Sequence, residues 1–242
     1  MSRPHVADRT ISLPVSGGEA VAGDLVVPAG AAGIVVFAHG SGSSRRSSRN
    51  RLVASTLQGK RLATLLFDLL TPSEDERDAV TAELRFDIPF LADRLREVAR
   101  WVRADDATSV LPLGYFGAST GAAAALVAAA GDDAVRAVVS RGGRPDLARD
   151  ALGRVSAPTL LLVGSLDTEV LGLNRWAFDR LASRDKELVV VPGATHLFEE
   201  GGKLEEVARL ATRPRVRRRR RRPRRGPQIG RASCRERVYV LV

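Results

Sequence analysis

The sequence contains almost no cysteine and no long apolar run. Its single cysteine, Cys234, stands near the C-terminal end, so neither disulfides nor a cysteine zinc cluster can stabilise the preceding 200 residues. The N-terminal stretch MSRPHVADRT has no apolar core of the kind found in secretory signals. No segment approaches the roughly 18 apolar residues of a membrane-spanning helix. We therefore expect a soluble, cytoplasmic protein with no membrane partner.

Acidic residues are scarce only in one part of the chain. The formal net charge is +10, a value that by itself suggests a nucleic-acid-binding protein. However, residues 212–242 hold 13 arginines and one acid, Glu236, whereas residues 1–211 hold 25 basic and 27 acidic residues. The bulk of the chain is thus nearly neutral. A length of 211 residues is enough for one large domain with a sizeable core.

The arginine-rich segment has an unusual composition. The stretch RPRVRRRRRRPRRGPQ has too few apolar residues to form a core, and such segments are disordered. The next stretch, IGRASCRERV (229–238), resembles the in-frame translation of a sequencing adapter, and a frameshift in GC-rich DNA would produce the arginines. We divide the chain into a domain at 1–211, whose last helix is cut short, and a disordered basic tail at 212–242 that is a sequence artefact. The tail should bind polyanions without sequence preference, so we expect no specific nucleic-acid partner.

The first 211 residues alternate between apolar runs and helical patterns. Two extended segments at 10–15 and 19–27, joined by Gly17 and Gly18, predict an antiparallel hairpin. Continuous apolar runs follow that are typical of strands buried on both faces: IVVFAHG, LATLLFDLL, LPLGYFG, VRAVVS, PTLLLVG and ELVVVPG. Helices are expected at 87–103, at 171–183 and from 203 onward. This alternation predicts an α/β fold in which a mostly parallel central sheet has helices on both faces.

The segment 87–103 shows the clearest helical period. Apolar residues recur at three- and four-residue spacing and should face the core: Ile88, Leu91, Leu95, Val98 and Val102. Charged residues occupy the opposite positions and should face solvent: Asp93, Arg94, Arg96, Glu97 and Arg100. The segment therefore predicts one amphipathic surface helix.

The stretch GYFGASTGAAAALVAAA contains the pattern G-x-S-x-G, formed by Gly117, Ser119 and Gly121. The pattern follows an apolar run and precedes an alanine-rich helix. In a nucleophile elbow, the serine occupies a strained strand-to-helix turn, and glycines leave room for neighbouring atoms. The plain alternative is a turn in which Ser119 merely caps the helix. The pattern is common by chance, so its partners decide between the two interpretations.

A serine nucleophile needs a general base and an acid that orients the base, in the chain order serine, acid, histidine for this class of fold. His196 lies in VVVPGATHLFEE, just after the last predicted strand, and Asp167 lies in LLLVGSLDTEV, just after the preceding one. Ligand sites of α/β sheets lie at these carboxyl ends. We therefore assign Ser119, Asp167 and His196 as a catalytic triad, with Glu169 as the alternative acid. The plain alternatives are a solvated loop histidine and a capping aspartate.

Two backbone N–H groups should bind the oxyanion. The first belongs to Thr120 at the start of the alanine-rich helix. The second should come from the loop HGSGSS after the strand IVVFA, where Ser41 is the preferred donor. His39 at the beginning of that loop should pack beneath it rather than transfer protons.

Together these stretches resemble the α/β-hydrolase superfamily and, within it, the dienelactone-hydrolase-like proteins. The resemblance covers nearly all of residues 1–211 and includes GIVVFAHGSGSSRRSSRNR, GYFGASTGAAAALVAAA, AVVSRGGRPDLA, PTLLLVGSLDTEVLGLNR and VVPGATHLFEEGGKLEEVARLA. It implies a hydrolase that uses Ser119, Asp167 and His196 as its triad. Dienelactone hydrolases proper use a cysteine nucleophile, whereas this chain has Ser119, so dienelactone does not follow as the substrate.

No long insertion separates AVVS from PTLLLVG, so we expect an open site without a lid domain, suited to small or polar substrates. Arginines crowd the predicted rim, at Arg45, Arg46, Arg49, Arg51, Arg141 and Arg144. A guanidinium group binds carboxylate or phosphate through paired hydrogen bonds, although most rim arginines should be solvated or paired with surface acids. Arg141 is the candidate substrate contact, because it directly follows a central strand.

These inferences predict a serine hydrolase that cleaves a carboxylic ester, lactone or thioester of a small substrate, without metal or cofactor. Two alternatives belong to other classes of protein. One is an inactive hydrolase-like fold that serves as a binding or scaffold module, and the other is a nucleic-acid-binding protein that uses the arginine run.

Overall fold

The computed structural model describes residues 7–212, 215–216 and 238–239. Eight strands form one sheet in the order β1-β2-β4-β3-β5-β6-β7-β8. The strands are β1 Ala7–Pro14, β2 Ala20–Val27, β3 Gly33–Ala38, β4 Leu62–Phe67, β5 Leu113–Ala118, β6 Val135–Arg141, β7 Thr159–Gly164 and β8 Lys186–Val191. Strand β2 is antiparallel to both β1 and β4, while β3 to β8 all run parallel to one another. The predicted mostly parallel sheet with an N-terminal hairpin is confirmed.

Helices connect the parallel strands. They are α1 Ser48–Gln58, α2 Pro72–Thr81, α3 Ile88–Ala104, α4 Thr120–Ala129, α5 Thr168–Arg180 and α6 Lys203–Ala211, with 3-10 helices at Leu84–Phe86 and Pro145–Arg154. Two of them, α1 and α2, have no counterpart in the sequence-based prediction. Both are rich in polar residues and carry only a weak apolar stripe, whereas α3 and α6 show a clear one.

Two apolar cores cover the two faces of the sheet, which explains why the central strands are apolar at most positions on both faces. Helices α1 and α6 pack on one face, around Val35, Phe37 and Phe116. Helices α3 and α4 pack on the other, around Ile34, Val36 and Tyr115. The alanines of α4 allow this helix to approach the sheet closely and are buried throughout Ala122–Ala125. The two-sided covering confirms the three-layer arrangement.

The apolar stripe of α3 is buried as predicted, from Ile88 to Val102. Arg94 is a correction, because the helical period placed it on the solvent face. Its side chain is 3% exposed and pairs with Glu74 at 2.8 Å and with Glu97 at 3.3 Å. Glu74 belongs to α2, and the sequence pattern did not predict that α2 brings an acid to this side of α3. A buried guanidinium requires such acidic partners.

Within residues 7–212, no helix has the length and apolar character needed to cross a bilayer. Arg215–Val216 pairs antiparallel with Val238–Tyr239. The other residues of the segment predicted to be disordered, including Cys234 and most of its arginines, lie outside the described residues.

Candidate active site

Ser119 occupies the turn between β5 and α4. Its backbone torsion angles are φ 51° and ψ −123°, a conformation that costs on the order of 1–3 kcal/mol for a residue with a side chain and persists only where the surroundings enforce it. Ser119 stands at the N-cap position of α4, yet its side chain makes no capping hydrogen bond. Helix capping therefore does not explain this serine, and its hydroxyl group is free for another role.

The two glycines of the pattern are required by close backbone contacts. A Cβ atom on Gly117 would lie 2.4 Å from the Cα atom of Ala122. A Cβ atom on Gly121 would lie 2.3 Å from the carbonyl oxygens of both Ala38 and His39. Helix α4 can thus lie against the ends of β3 and β5 only if both positions lack side chains. The packing matches that of a nucleophile elbow.

Asp167 and His196 form a hydrogen-bonded pair at the neighbouring strand ends. Nδ1 of His196 lies 2.6 Å from Oδ2 of Asp167. A carboxylate only accepts hydrogen bonds, so Nδ1 is the donor in this pair, and in the neutral imidazole Nε2 is then the nitrogen with the lone pair. Asp167 is the N-cap residue of α5 but makes no side-chain capping bond. Its carboxylate orients the imidazole instead, whereas Glu169 is exposed in the first turn of α5.

A short segment connects this pair to Ser119. The backbone N–H of Ser119 donates to the carbonyl oxygen of Arg141 at 3.3 Å. The next residue, Gly142, is so close to His196 that a Cβ atom on it would lie 2.8 Å from the His196 carbonyl oxygen and 3.7 Å from Nδ1. Ser119 and the Asp167–His196 pair therefore lie at the same carboxyl edge of the sheet, on either side of residues 141–142.

The loop that carries His196 is fixed from several sides. A Cβ atom on Gly164, at the end of β7, would lie 2.2 Å from the Ala194 carbonyl oxygen, so β7 and this loop are in direct backbone contact. Phe198 is 1% exposed and anchors the loop in the α1/α6 core. The carboxylate of Glu200 accepts hydrogen bonds from the backbone and hydroxyl group of Thr195, and these bonds lower the pKa of Glu200. The position of His196 is thus set by packing.

The two predicted oxyanion donors lie side by side. A Cβ atom on Gly40 would lie 3.0 Å from the Cβ atom of Ser119, which places the loop after β3 directly against the serine. The N–H of Thr120 belongs to the first turn of α4, where N–H groups have no intrahelical acceptor. The N–H of Ser41 donates to the hydroxyl oxygen of Thr120 at 2.9 Å. A substrate oxygen at Ser41 would have to replace or share this bond.

His39 supports this loop from below. Its Nε2 accepts a hydrogen bond from the backbone N–H of Leu69 at 3.0 Å, so the proton is on Nδ1, which donates to the Gly40 carbonyl oxygen at 2.9 Å. Burial lowers the pKa of His39 and keeps the ring neutral. The packing role expected from the sequence is confirmed.

Arg141 is buried at the end of β6 without an acidic partner among the described residues. Its residue exposure is 6%, and its only side-chain hydrogen bond goes from Nη2 to Oδ1 of Asn50 at 3.3 Å, while Nε and Nη1 have none. Burial, and secondarily the positive charge of Arg49, lower the pKa of Arg141 to about 10. A buried cation in this state favours the approach of an anion.

Four other rim arginines are paired with acids, as the sequence interpretation expected for most of them; one of these is Arg51, which lies 3.9 Å from Asp24. Arg45 forms ion pairs with Asp68 and Asp24. Arg144 contacts Asp146 at 2.9 Å, and Arg49 contacts Glu199 at 2.7 Å. Their charges are largely balanced by these partners, which distinguishes Arg141 from them.

Comparisons with known proteins agree with this geometry. A dienelactone hydrolase of Anabaena variabilis superposes with a TM-score of 0.82 at 54% identity, over 87% of this chain and 96% of that one. The chain belongs to the dienelactone hydrolase family. It has the α/β-hydrolase fold of that family. Est1E of Butyrivibrio proteoclasticus shares that fold, with a TM-score of 0.69 at 17% identity over 83% of this chain and 95% of the other. No family model matches the sequence.

Two Mycobacterium tuberculosis proteins, from strains CDC 1551 and H37Rv, are 58% identical to this dienelactone hydrolase family member over 209 residues. They carry the provisional name phosphoribosyl transferase. The match covers 86% of this chain but 46% of theirs, so the chain spans about half the length of these relatives.

Sequence reasoning missed several residues that shape the site. Asn50, which contacts Arg141, lies on the unpredicted helix α1. Asn174, on α5, is fully buried and bonds to the turn that follows β6. An asparagine inside an otherwise amphipathic helix is a usable signal, because its amide needs partners when it is buried.

Proposed function

We propose that this protein is a serine hydrolase that cleaves a carboxylic ester, lactone or thioester of a small, anionic substrate through an acyl-enzyme on Ser119. One observation carries the proposal. Ser119 and Asp167 both stand at helix N-caps and neither caps its helix. The Asp167 carboxylate instead accepts the Nδ1 proton of His196. These polar side chains are therefore explained by catalysis and not by helix stability.

In the proposed reaction, Nε2 of His196 takes the proton of the Ser119 hydroxyl as Oγ attacks the substrate carbonyl carbon. Asp167 stabilises the resulting imidazolium. The N–H groups of Thr120 and Ser41 hold the negative oxygen of the tetrahedral intermediate. The carbon–oxygen or carbon–sulfur bond to the leaving group then breaks, and His196 returns the proton to it. Water repeats the sequence, which releases the acid and restores Ser119.

Arg141 supports an anionic substrate. The Arg141 guanidinium group is buried and lacks an acidic partner among the described residues, and its Nε and Nη1 make no hydrogen bond there, so an anion that reached it would be bound strongly. Its strand ends beside Ser119, because the Arg141 carbonyl oxygen accepts the Ser119 N–H. We propose that Arg141 binds a carboxylate or similar group that is part of the substrate but remote from the reacting carbonyl.

The name of the Mycobacterium tuberculosis relatives does not favour a different reaction here. More than half of their length lies outside the match, and the matched part includes the residues to which we assign the hydrolase chemistry. The second hypothesis, an inactive binding module, has no observation that favours it and is an outcome of the test below.

The test is turnover of p-nitrophenyl acetate by purified wild type, by Ser119→Ala and by His196→Gln. We expect both substitutions to lower kcat by on the order of 10³-fold or more, since members of a triad act as a unit. Ser156→Ala is the matched control, because Ser156 lies before β7, at the opposite end of that strand from Asp167, and should be fully active. A folded wild type that does not hydrolyse activated esters would favour the binding module.

A further inference from the structure

The strained conformation of Ser119 is enforced by a turn that follows β6. This turn comprises residues 141–144 and is called the 141–144 turn below. The N–H of Ser119 donates to the Arg141 carbonyl oxygen at 3.3 Å, and the Ser119 carbonyl oxygen accepts the N–H of Arg144 at 3.1 Å. Both peptide groups of Ser119 are thus tied to the two ends of one turn. If the turn moves, the serine can relax from its positive φ.

The turn itself is tightly confined. A Cβ atom on Gly143 would lie 2.0 Å from Oγ of Ser140 and 2.5 Å from Cβ of Ala122, so the turn fills the space between β6 and α4. Gly142 donates its N–H to the Leu162 carbonyl oxygen at 2.8 Å. Gly143 is buried, and its carbonyl oxygen therefore needs a donor within the protein.

That donor is Asn174. Its Nδ2 donates to the Gly143 carbonyl oxygen at 2.9 Å and to the Val170 carbonyl oxygen at 2.8 Å. Asn174 is 0% exposed, and its Oδ1 has no hydrogen-bond partner in the part of the chain that the structure describes. The amide orientation is defined by these contacts, because a flipped amide would direct Oδ1 at two carbonyl oxygens. Its two donor bonds therefore fix the orientation of the amide.

We propose that Asn174 is a positioning residue that keeps Ser119 in its reactive conformation through the 141–144 turn. The role rests on the proposed function of Ser119. Asn174 lies on α5, the helix that begins directly after Asp167. One helix therefore carries the acid of the triad at its N-cap and, two turns later, the amide that fixes the turn holding the nucleophile.

Two substitutions separate the two bonds. Asn174→Leu keeps a similar volume and removes both. Asn174→Ser is short, and its hydroxyl can bond to the carbonyl oxygen four residues earlier, at Val170, but does not reach Gly143. We expect both variants to lower kcat for p-nitrophenyl acetate by roughly 10- to 100-fold, because small displacements of reacting groups have effects of that size. KM should change by less than about twofold, since the substrate does not contact Asn174.

Labelling with a fluorophosphonate gives the readout that a purely structural role would not change. The final labelled fraction measures how many molecules are folded, and the rate measures the reactivity of Ser119. For both Asn174 variants we expect the final labelled fraction to equal that of wild type, while the labelling rate falls in proportion to kcat. The matched control is Thr108→Val, which removes the buried hydrogen bond of 2.7 Å from the Thr108 hydroxyl group to the Val102 carbonyl oxygen. Thr108 precedes β5 and lies at the opposite end of that strand from Ser119. It should label at the wild-type rate.

The outcomes are distinct. A wild-type protein that is not labelled would overturn the proposed function and this role with it. If the wild type is labelled and both Asn174→Ser and Asn174→Leu react at the wild-type rate, the role of Asn174 is overturned while the proposed function stands. Equal slowing by Thr108→Val would also overturn it, because the effect would then be general destabilisation.

Discussion

Replacing Arg141 by methionine should stabilise the free protein while it impairs binding of anionic substrates. Methionine keeps an unbranched side chain of similar reach and removes the charge. Arg141 is 6% exposed, and in the described residues its guanidinium group bonds only to Asn50, across 3.3 Å. The substitution therefore removes a desolvated cation at the expense of one long hydrogen bond.

The size of the effect follows from the pKa. Burial lowers the pKa of Arg141 from the ordinary 12.5 to about 10, and each pKa unit corresponds to about 1.4 kcal/mol. The charged form is thus disfavoured by about 3 kcal/mol in the folded state. Allowing for the lost hydrogen bond, of about 1 kcal/mol, we expect the free energy of unfolding to rise by about 1–3 kcal/mol. For a domain of this size, the melting temperature should rise by about 2–4 °C per kcal/mol.

The assay is urea denaturation at neutral pH, together with kcat/KM for an ester that carries a free carboxylate and for its neutral methyl ester. Arg141→Met should lose the preference for the charged ester mainly through a higher KM, because a contact remote from the reacting carbonyl stabilises ground and transition states alike. Arg144→Met is the matched control. Arg144 is paired with Asp146 and partly exposed, so its replacement should change stability by no more than about 1 kcal/mol.

Two results would refute this reasoning. Destabilisation of Arg141→Met by more than about 1 kcal/mol would show that the guanidinium group has a structural partner that outweighs its burial. Equal kcat/KM of wild type for the charged and neutral esters would remove Arg141 from the substrate site.

Two further predictions concern the loop after β3. Burial lowers the pKa of His39 in the folded protein, so as pH falls below about 6.5 the unfolded chain takes up a proton before the folded one does. Wild type should therefore lose more stability between pH 7.5 and 5.5 than His39→Gln, as measured by urea denaturation. Equal losses in the two proteins would contradict a neutral, buried ring. Gly121→Ala should abolish activity or folding, since its Cβ atom would lie 2.3 Å from two carbonyl oxygens. The control is Gly172→Ala, where no atom lies within 4 Å of the new Cβ atom, and this variant should be as active as wild type and equally or more stable. A fully active Gly121→Ala would exclude the close backbone contact.

The sequence was sufficient to predict the parallel strands, because strands buried on both faces are apolar at most positions and are flanked by turn residues. It also pointed to Ser119, Asp167 and His196 as one set, since each follows a different strand at the same edge of the sheet. Their assignment as a triad remains a prediction. The structure adds that Asp167 and His196 share a hydrogen bond and that Ser119 has a strained backbone.

Other features could not be predicted, since they depend on contacts between distant segments. Arg94 has the position of a surface residue in the period of α3, and only α2, which lies 20 residues earlier, explains its burial against Glu74. The burial of Arg141 likewise depends on a distant segment, because its side chain contacts Asn50 of α1. Asn50 and Asn174 bond to residues 91 and 31 positions away.

The measurement that tests the central claim most directly is mass spectrometry of the wild-type protein after reaction with a fluorophosphonate. The proposed function predicts one covalent adduct per chain, located by peptide mapping on Ser119, and no adduct in Ser119→Ala. It also predicts much slower labelling of His196→Gln, which lacks the base. A folded wild-type protein that remains unmodified, or an adduct on a residue other than Ser119, would contradict it.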